Sequence, residues 1–216
     1  MLDIKSLIKQ FESITLSEMD GVKLMNRTDT KFTFRLDLLS DILLKMLPYY
    51  RILEIDGNRM QDYRSLYYDT NERKFYLDHH NQRVNRNKIR FRQYVGSELT
   101  FMEIKLKNNK GKTIKKRMKV NEIPLVLADQ HKKYIDEIIG KDLDVNAKQW
   151  INFTRLTFVH KTKKERLTID LNLTFKNENQ EGDMKDVVIA EVKQERMSRS
   201  SDFMTITKEM SILPMR

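Results

Sequence analysis

The sequence predicts an α+β protein built on antiparallel strands with helices outside them. Period-two alternation of apolar and polar residues dominates the middle of the chain, turn-forming clusters fall in the gaps between alternating runs, and helical spacing is confined to a few segments. Cysteine is absent, which excludes disulfides, thiol catalysis, zinc ribbons and iron–sulfur clusters together.

Near the start, Ile4, Leu7, Ile8 and Phe11 recur at helical spacing, so an N-terminal helix is predicted within residues 1–15. A second helix starts after Asp37, carries Leu38, Leu39, Ile42, Leu43, Met46 and Leu47, and stops at Pro48. Strands are predicted over 22–34, 49–56, 63–69, 84–94, 99–106, 113–120, 151–160, 165–175 and 186–192. The intervening Asp56-Gly57-Asn58, Gly96-Ser97, Asn108-Asn109-Lys110-Gly111 and 177–182 carry turn chemistry, which makes neighbouring strands antiparallel hairpins. Helices over 130–139 and 200–212 complete the reading. With no repeat, no linker-like tract, six glycines and three prolines, one domain over 1–216 is the simplest organisation.

Several functions are excluded by what is missing. Neither GxxxxGK[ST] nor GxGxxG can be written from the scattered glycines, so a nucleotide would have to be held by side chains. No GxSxG elbow is present. His79-His80 lacks metal-ligand spacing and reads as a polar loop. No apolar run approaches the ~20 residues that span a bilayer, and the N-terminus lacks the apolar core of a secretory signal, so a cytoplasmic location is expected.

Lys and Arg number 41 against 31 Asp and Glu, a formal charge of +10. Such a surplus calls for a polyanion, and its placement narrows the choice. Residues i and i+2 of a strand share a face. Arg27, Asp29 and Lys31 therefore share one, and Arg90 and Arg92 oppose Ile89 and Phe91. Glu103 and Lys105 oppose Met102, Ile104 and Leu106, while Lys115, Arg117 and Lys119 oppose Ile114 and Met118. Arg166, Thr168 and Asp170 oppose Leu167, Ile169 and Leu171, and Glu191 and Lys193 oppose Ala190 and Val192.

Each strand alone is an ordinary half-solvated strand. Together they crowd like charges that repel across neighbouring strands, which points to an anion bound on the charged face. Arginine offers a planar fork and lysine a point charge for phosphate oxygens. Glu191 and Glu103 offer oxygen ligands for Mg²⁺ or Mn²⁺. Nucleic acid is disfavoured, because the alternating apolar residues pack under helices instead of standing exposed among the cations as stacking platforms.

Leu24-Met25-Asn26-Arg27-Thr28-Asp29-Thr30-Lys31-Phe32, Ser65-Leu66-Tyr67-Tyr68-Asp69-Thr70 and Lys88-Ile89-Arg90-Phe91-Arg92-Gln93-Tyr94 resemble the catalytic domain of the vacuolar transporter chaperone (VTC) family. Phe101 to Lys105, Lys115-Lys116-Arg117, Phe153 to Leu156, Arg166 to Asp170 and Ile189 to Lys193 follow in the family's order, so the resemblance runs from about residue 20 to 210. It implies the fold of the CYTH-like triphosphate tunnel metalloenzymes, an antiparallel β-barrel with a basic lumen and surrounding helices. It also implies a metal-dependent polyphosphate polymerase that extends polyphosphate from ATP and releases ADP; a triphosphatase or tripolyphosphatase of the same fold, or a non-catalytic polyphosphate sensor, are the alternatives.

By position, the resemblance makes Lys31, Arg90, Arg92, Lys105, Lys115, Arg155 and Arg166 phosphate-contacting cations and Glu191 the Mn²⁺ or Mg²⁺ ligand, with Lys193 beside it. Arg27 and Asp29 stand where many tunnel enzymes carry two glutamates. Arg117, Glu103 and Asp170 are added from strand alternation. The partners implied are ATP, polyphosphate and inorganic tri- or pyrophosphate, and with no membrane segment any membrane coupling calls for a separate protein. Two departures stand out: Phe153 replaces a usual tyrosine two residues before the arginine, and the family's C-terminal Ser-Lys-Tyr helix has no counterpart, since Ser201-Asp202-Phe203 puts a carboxylate at the lysine position.

Overall fold

The structure, a computed structural model, describes residues 3–19, 28–110, 113–140, 143–195 and 200–215. They form an α+β protein with eleven strands in one sheet and helices set around it. Two compact units share the chain: Met1–Gln61 with Phe153–Leu173 and Asp183–Arg216, and Asp62–Asn152 with Thr174–Gly182.

The first unit holds β1 (Ser13–Ile14), β2 (Thr28–Arg35), β3 (Tyr50–Leu53), the C-terminal part of β8 (Asn146–His160), most of β9 (Glu165–Lys176) and β11 (Val187–Gln194). Its strand order is β2-β11-β9-β8, with β3 on β8 and β1 on β3. Every pairing of known register is antiparallel except β1 with β3, where Ser13 lies opposite Ile52 in a parallel pair. Phe32 and Phe34 of β2, Val188, Ala190 and Val192 of β11 and Leu167, Ile169 and Leu171 of β9 point to the same side. That side is covered by α1 (Ile4–Ile8), α3 (Leu39–Met46) and α6 (Asp202–Glu209), which contribute Leu7, Ile8, Leu39, Ile42, Leu43, Met46, Phe203 and Ile206 to one core.

The second unit runs β8-β4-β5-β6-β7 through β4 (Gln61–Asp69), β5 (Arg86–Tyr94), β6 (Leu99–Lys107) and β7 (Thr113–Val120). Its apolar face, with Leu66, Ile89, Phe91, Met102 and Ile104, packs with Phe75 of α4 (Lys74–His80) and Ile135 of α5 (Asp129–Ile139). The helix α5 ends at Gly140, whose φ of 73° supplies the left-handed C-cap that a side chain would resist. The Asp56-Gly57 turn has φ of 50° and 75°, the paired positive values that a two-residue hairpin turn requires.

The predicted helices and strands are present with shifted ends. The N-terminal helix stops at Ile8, although Phe11 remains 3% exposed in the core. Residues 22–27 of the first predicted strand, Arg27 among them, lie outside the described residues. Four short elements were not foreseen: β1, α2 (Leu16–Met19), α4 and β10 (Glu181–Met184), which pairs β9. His79 and His80, read as a loop, end α4, with His80 stacked on Tyr76 one turn back. The strand order ends at β2 in the first unit and at β7 in the second, so the barrel closure implied by the resemblance is not among the pairings of the described residues.

Candidate functional site: two charged sheet faces

In the first unit the register sets Lys31, Glu191 and Thr168 opposite one another on β2, β11 and β9, with Asp29, Lys193 and Arg166 in the next such row. Since the opposite faces of these strands are sealed into the core, the charged side chains gather on the other face. Lys193 pairs with Glu191 and reaches Thr168 Oγ1 at 3.3 Å. Burial pushes the Glu191 carboxyl up, yet Lys193, Lys31 and Arg155 outweigh it and hold it below its ordinary value. Burial likewise lowers the Lys193 ammonium, against the support of Glu191. Arg155 forms a fork to Asp170, at 2.6 and 2.7 Å, and lies 5.0 Å from the centre of the Phe153 ring. Phe153 thus offers Arg155 a π-face where a tyrosine would add a hydroxyl.

In the second unit, Tyr67, Arg90, Glu103 and Arg117 form one row across β4, β5, β6 and β7. Lys88, Lys105 and Lys115 form another, and Ser65, Arg92, Phe101 and Lys119 a third. Glu103, 1% exposed, is the anchor: Arg90 Nε and Nη2 approach its Oε2 at 2.7 and 2.5 Å, and Lys115 binds Oε1. Burial raises its carboxyl, but Arg90 and Lys115 bring it down to about 2. Arg90 Nη1 also donates to the Tyr67 hydroxyl at 3.0 Å, Arg92 Nε to Ser65 Oγ at 3.0 Å, and Arg117 lies 4.8 Å from the Phe101 ring centre. Lys105 makes no hydrogen bond or ion pair with a described residue; burial, then Arg90 and Lys115, lower its ammonium to about 8.

The sequence-predicted residues therefore fall into two groups. Lys31, Asp29, Arg155, Arg166, Asp170, Glu191 and Lys193 belong to the first unit, and Arg90, Arg92, Glu103, Lys105, Lys115 and Arg117 to the second. Alternation overlooked Tyr63, Ser65 and Tyr67 of β4 because they are uncharged, although they stand on the same face as the cations of β5, opposite Leu66 and Tyr68. Lys88 was likewise given no role and joins the lysine row.

A divalent ion fits one of the two proposed carboxylates. Glu103 does not suit it, because both oxygens are taken by Arg90 and Lys115. Glu191 does: among the described residues only Lys193 engages it, at Oε2, and its side chain keeps 22% exposure. No group of three or more Asp, Glu, His or Cys side chains that could hold a metal occurs among the described residues.

A family model described as the VTC domain matches residues 26–213. None of the curated proteins matches the sequence. Among solved structures, a candidate adenylate cyclase from Bacillus halodurans is similar at a TM-score of 0.49 and 11% identity, over 89% of this chain and 95% of that one. A second candidate adenylate cyclase, from Vibrio parahaemolyticus, gives 0.47 and 10%, over 87% and 85%. A candidate adenylyl cyclase from Hippeastrum, described as having a dominant triphosphatase activity, gives 0.46 and 13%, over 87% and 90%.

Proposed function

Because this chain belongs to the VTC domain family, we propose that it is a metal-dependent phosphotransferase that extends polyphosphate from ATP with release of ADP. The observation that supports this most is the alignment of cations in register on a sheet face of each unit; in the first unit Glu191, paired through Oε2 with Lys193, is the carboxylate proposed for a metal. Clustered, half-buried Lys and Arg are destabilising unless an anion joins them, and a chain of phosphates carries the charge density to do so.

In this reading Lys31, Arg155, Arg166 and Lys193 of the first unit and Arg90, Arg92, Lys105, Lys115 and Arg117 of the second contact phosphate oxygens. Phosphoryl transfer asks little covalent chemistry of a protein; alignment and compensation of charge on the transferred group dominate. Glu103 holds Arg90 and Lys115 in place, and Asp170 does the same for Arg155. A Mg²⁺ or Mn²⁺ ion bound at Glu191 would supply the Lewis-acidic charge that favours electron flow toward the leaving diphosphate. The acceptor is a terminal oxygen of the growing chain; with water in its place the same residues perform triphosphate hydrolysis.

Labelled ATP given to the purified protein with Mn²⁺ is expected to yield ADP and long labelled chains on a gel. Free labelled phosphate in their place would identify a triphosphatase. Unchanged ATP together with tight tripolyphosphate binding would identify a sensor.

A further inference from the structure

Arg90 is held from both neighbouring strands of the second unit's face. Glu103 takes its Nε and Nη2, and the Tyr67 hydroxyl takes its Nη1 at 3.0 Å. Strand register enforces both contacts, since Tyr67 and Glu103 lie directly opposite Arg90 on the two neighbouring strands. A guanidinium has only donors, so in this contact the phenol oxygen accepts. The phenol's own proton is then left to be donated, and no described residue accepts it.

The charged groups on β5, β6 and β7 offer it no free acceptor. Lys88, Arg90 and Arg92 of β5, with Lys105 and Lys115 on the same face of β6 and β7, have donors alone. The two oxygens of Glu103, the nearby carboxylate, are bound by Arg90 and Lys115. Burial pushes the Tyr67 phenol up, but Arg90, Arg92 and Lys88 overcome that and bring it below its ordinary value. A polarised O–H among cations, with its oxygen already bound from behind, is suited to an anionic oxygen arriving from the open side.

We propose that Tyr67 is a direct phosphate ligand, donating its proton as a hydrogen bond to a phosphate oxygen while Arg90 holds the phenol oxygen from behind. This rests on the phosphate-binding reading above and adds to it a neutral ligand on β4. Arg90 gives three of its five N–H donors to Glu103 and Tyr67; the others remain for phosphate, and the guanidinium also polarises the phenol. No proton is transferred: the bond is charge-assisted on the acceptor side.

The test uses tripolyphosphate as probe, titrated calorimetrically into the unaltered protein and Tyr67→Phe at neutral and alkaline pH, with thermal melting as the check on folding. At neutral pH the variant is expected to bind about tenfold more weakly, the size of one hydrogen bond to a charged acceptor. As pH rises through the phenol's ionisation, the phenolate has no proton to give and repels the anion, so the difference closes. Lys88, Arg90, Arg92, Glu103, Lys105 and Lys115 are present in both proteins, and their own titration cancels in the comparison.

Equal affinity of the two proteins at neutral pH overturns the assignment of Tyr67 and leaves phosphate binding intact. A difference that persists or widens at alkaline pH shows a phenol that only orients Arg90, and overturns the direct contact. Failure of the unaltered protein to bind tripolyphosphate removes the underlying reading and the proposal with it. A second measurement needs no variant: bound tripolyphosphate should suppress the tyrosinate absorbance of the unaltered protein at alkaline pH, and unchanged absorbance counts against the contact.

Discussion

Glu191 and Glu103 are both carboxylates on charged strand faces, yet their surroundings give them different work. Lys193 engages one oxygen of Glu191, whereas Arg90 and Lys115 occupy both oxygens of Glu103. Replacing Glu191 with Gln keeps the shape and removes the charge a metal needs; metal-dependent turnover should fall by about a hundredfold or more, with the melting curve still cooperative. Full metal-dependent activity in that variant would show that the ion is held elsewhere. For Glu103 the consequence is stability. Its carboxyl lies at about 2 in the fold against an ordinary 4.5, so the native state binds that proton more weakly than the unfolded chain. The resulting stabilisation is complete above about pH 4.5 and is lost as pH falls toward 2, on the order of 3 kcal/mol in all. Glu103→Gln should be less stable in urea at neutral pH and should lack that part of the acid-induced loss.

At the scale of elements, the row Lys88–Lys105–Lys115 sets three like charges opposite one another across β5, β6 and β7. Glu103 pairs with Lys115, whereas Lys105 makes no ion pair with a described residue, and burial followed by neighbouring cations outweighs the field of Glu103 and lowers its ammonium to about 8. Anion binding requires the protonated amine, so tripolyphosphate affinity should fall as pH rises through about 8 and binding there should be accompanied by proton uptake. Lys105→Arg keeps the charge at all these pH values; calorimetry should find its affinity flat across that range, and a wild-type slope surviving in the variant would assign the titration to another group. Strand alternation made this face legible from the sequence, because the period of two is a property of each strand alone. The same signal passed over β4, whose face residues Tyr63, Ser65 and Tyr67 carry no charge and differ from core residues only by where the neighbouring strand places them.

For the molecule as a whole, the surplus of ten positive charges acts as self-repulsion that a polyanion relieves. Tripolyphosphate should therefore raise the melting temperature by mass action. The rise should shrink as salt is increased from about 0.01 M to about 0.5 M, because screening weakens both the repulsion and its relief. A rise independent of salt would argue that the anion is held by neutral groups instead of the Lys and Arg rows. The two apolar cores, each backing one charged sheet face, account for how a chain with 39% hydrophobic residues supports so many charges: β2, β5, β6, β9 and β11 contribute one face to burial and the other to charged side chains.

The sequence by itself determined the α+β character, the strand positions, the apolar face of each strand and the concentration of Arg and Lys on the other face. These follow from local periodicity, which pairing cannot change. Only the tertiary structure decided which cation meets which carboxylate. Arg90 and Lys115 meet at Glu103, and Arg155 meets Asp170, because strands distant in sequence lie in one particular register. A slip of one residue would turn those side chains to the other face. The short elements β1, α2, α4 and β10 belong to the same class: two to seven residues carry too little periodicity to declare themselves, and packing against neighbours forms them. Tyr67 acquired its contact with Arg90 in this way, from a register that no stretch of β4 encodes alone.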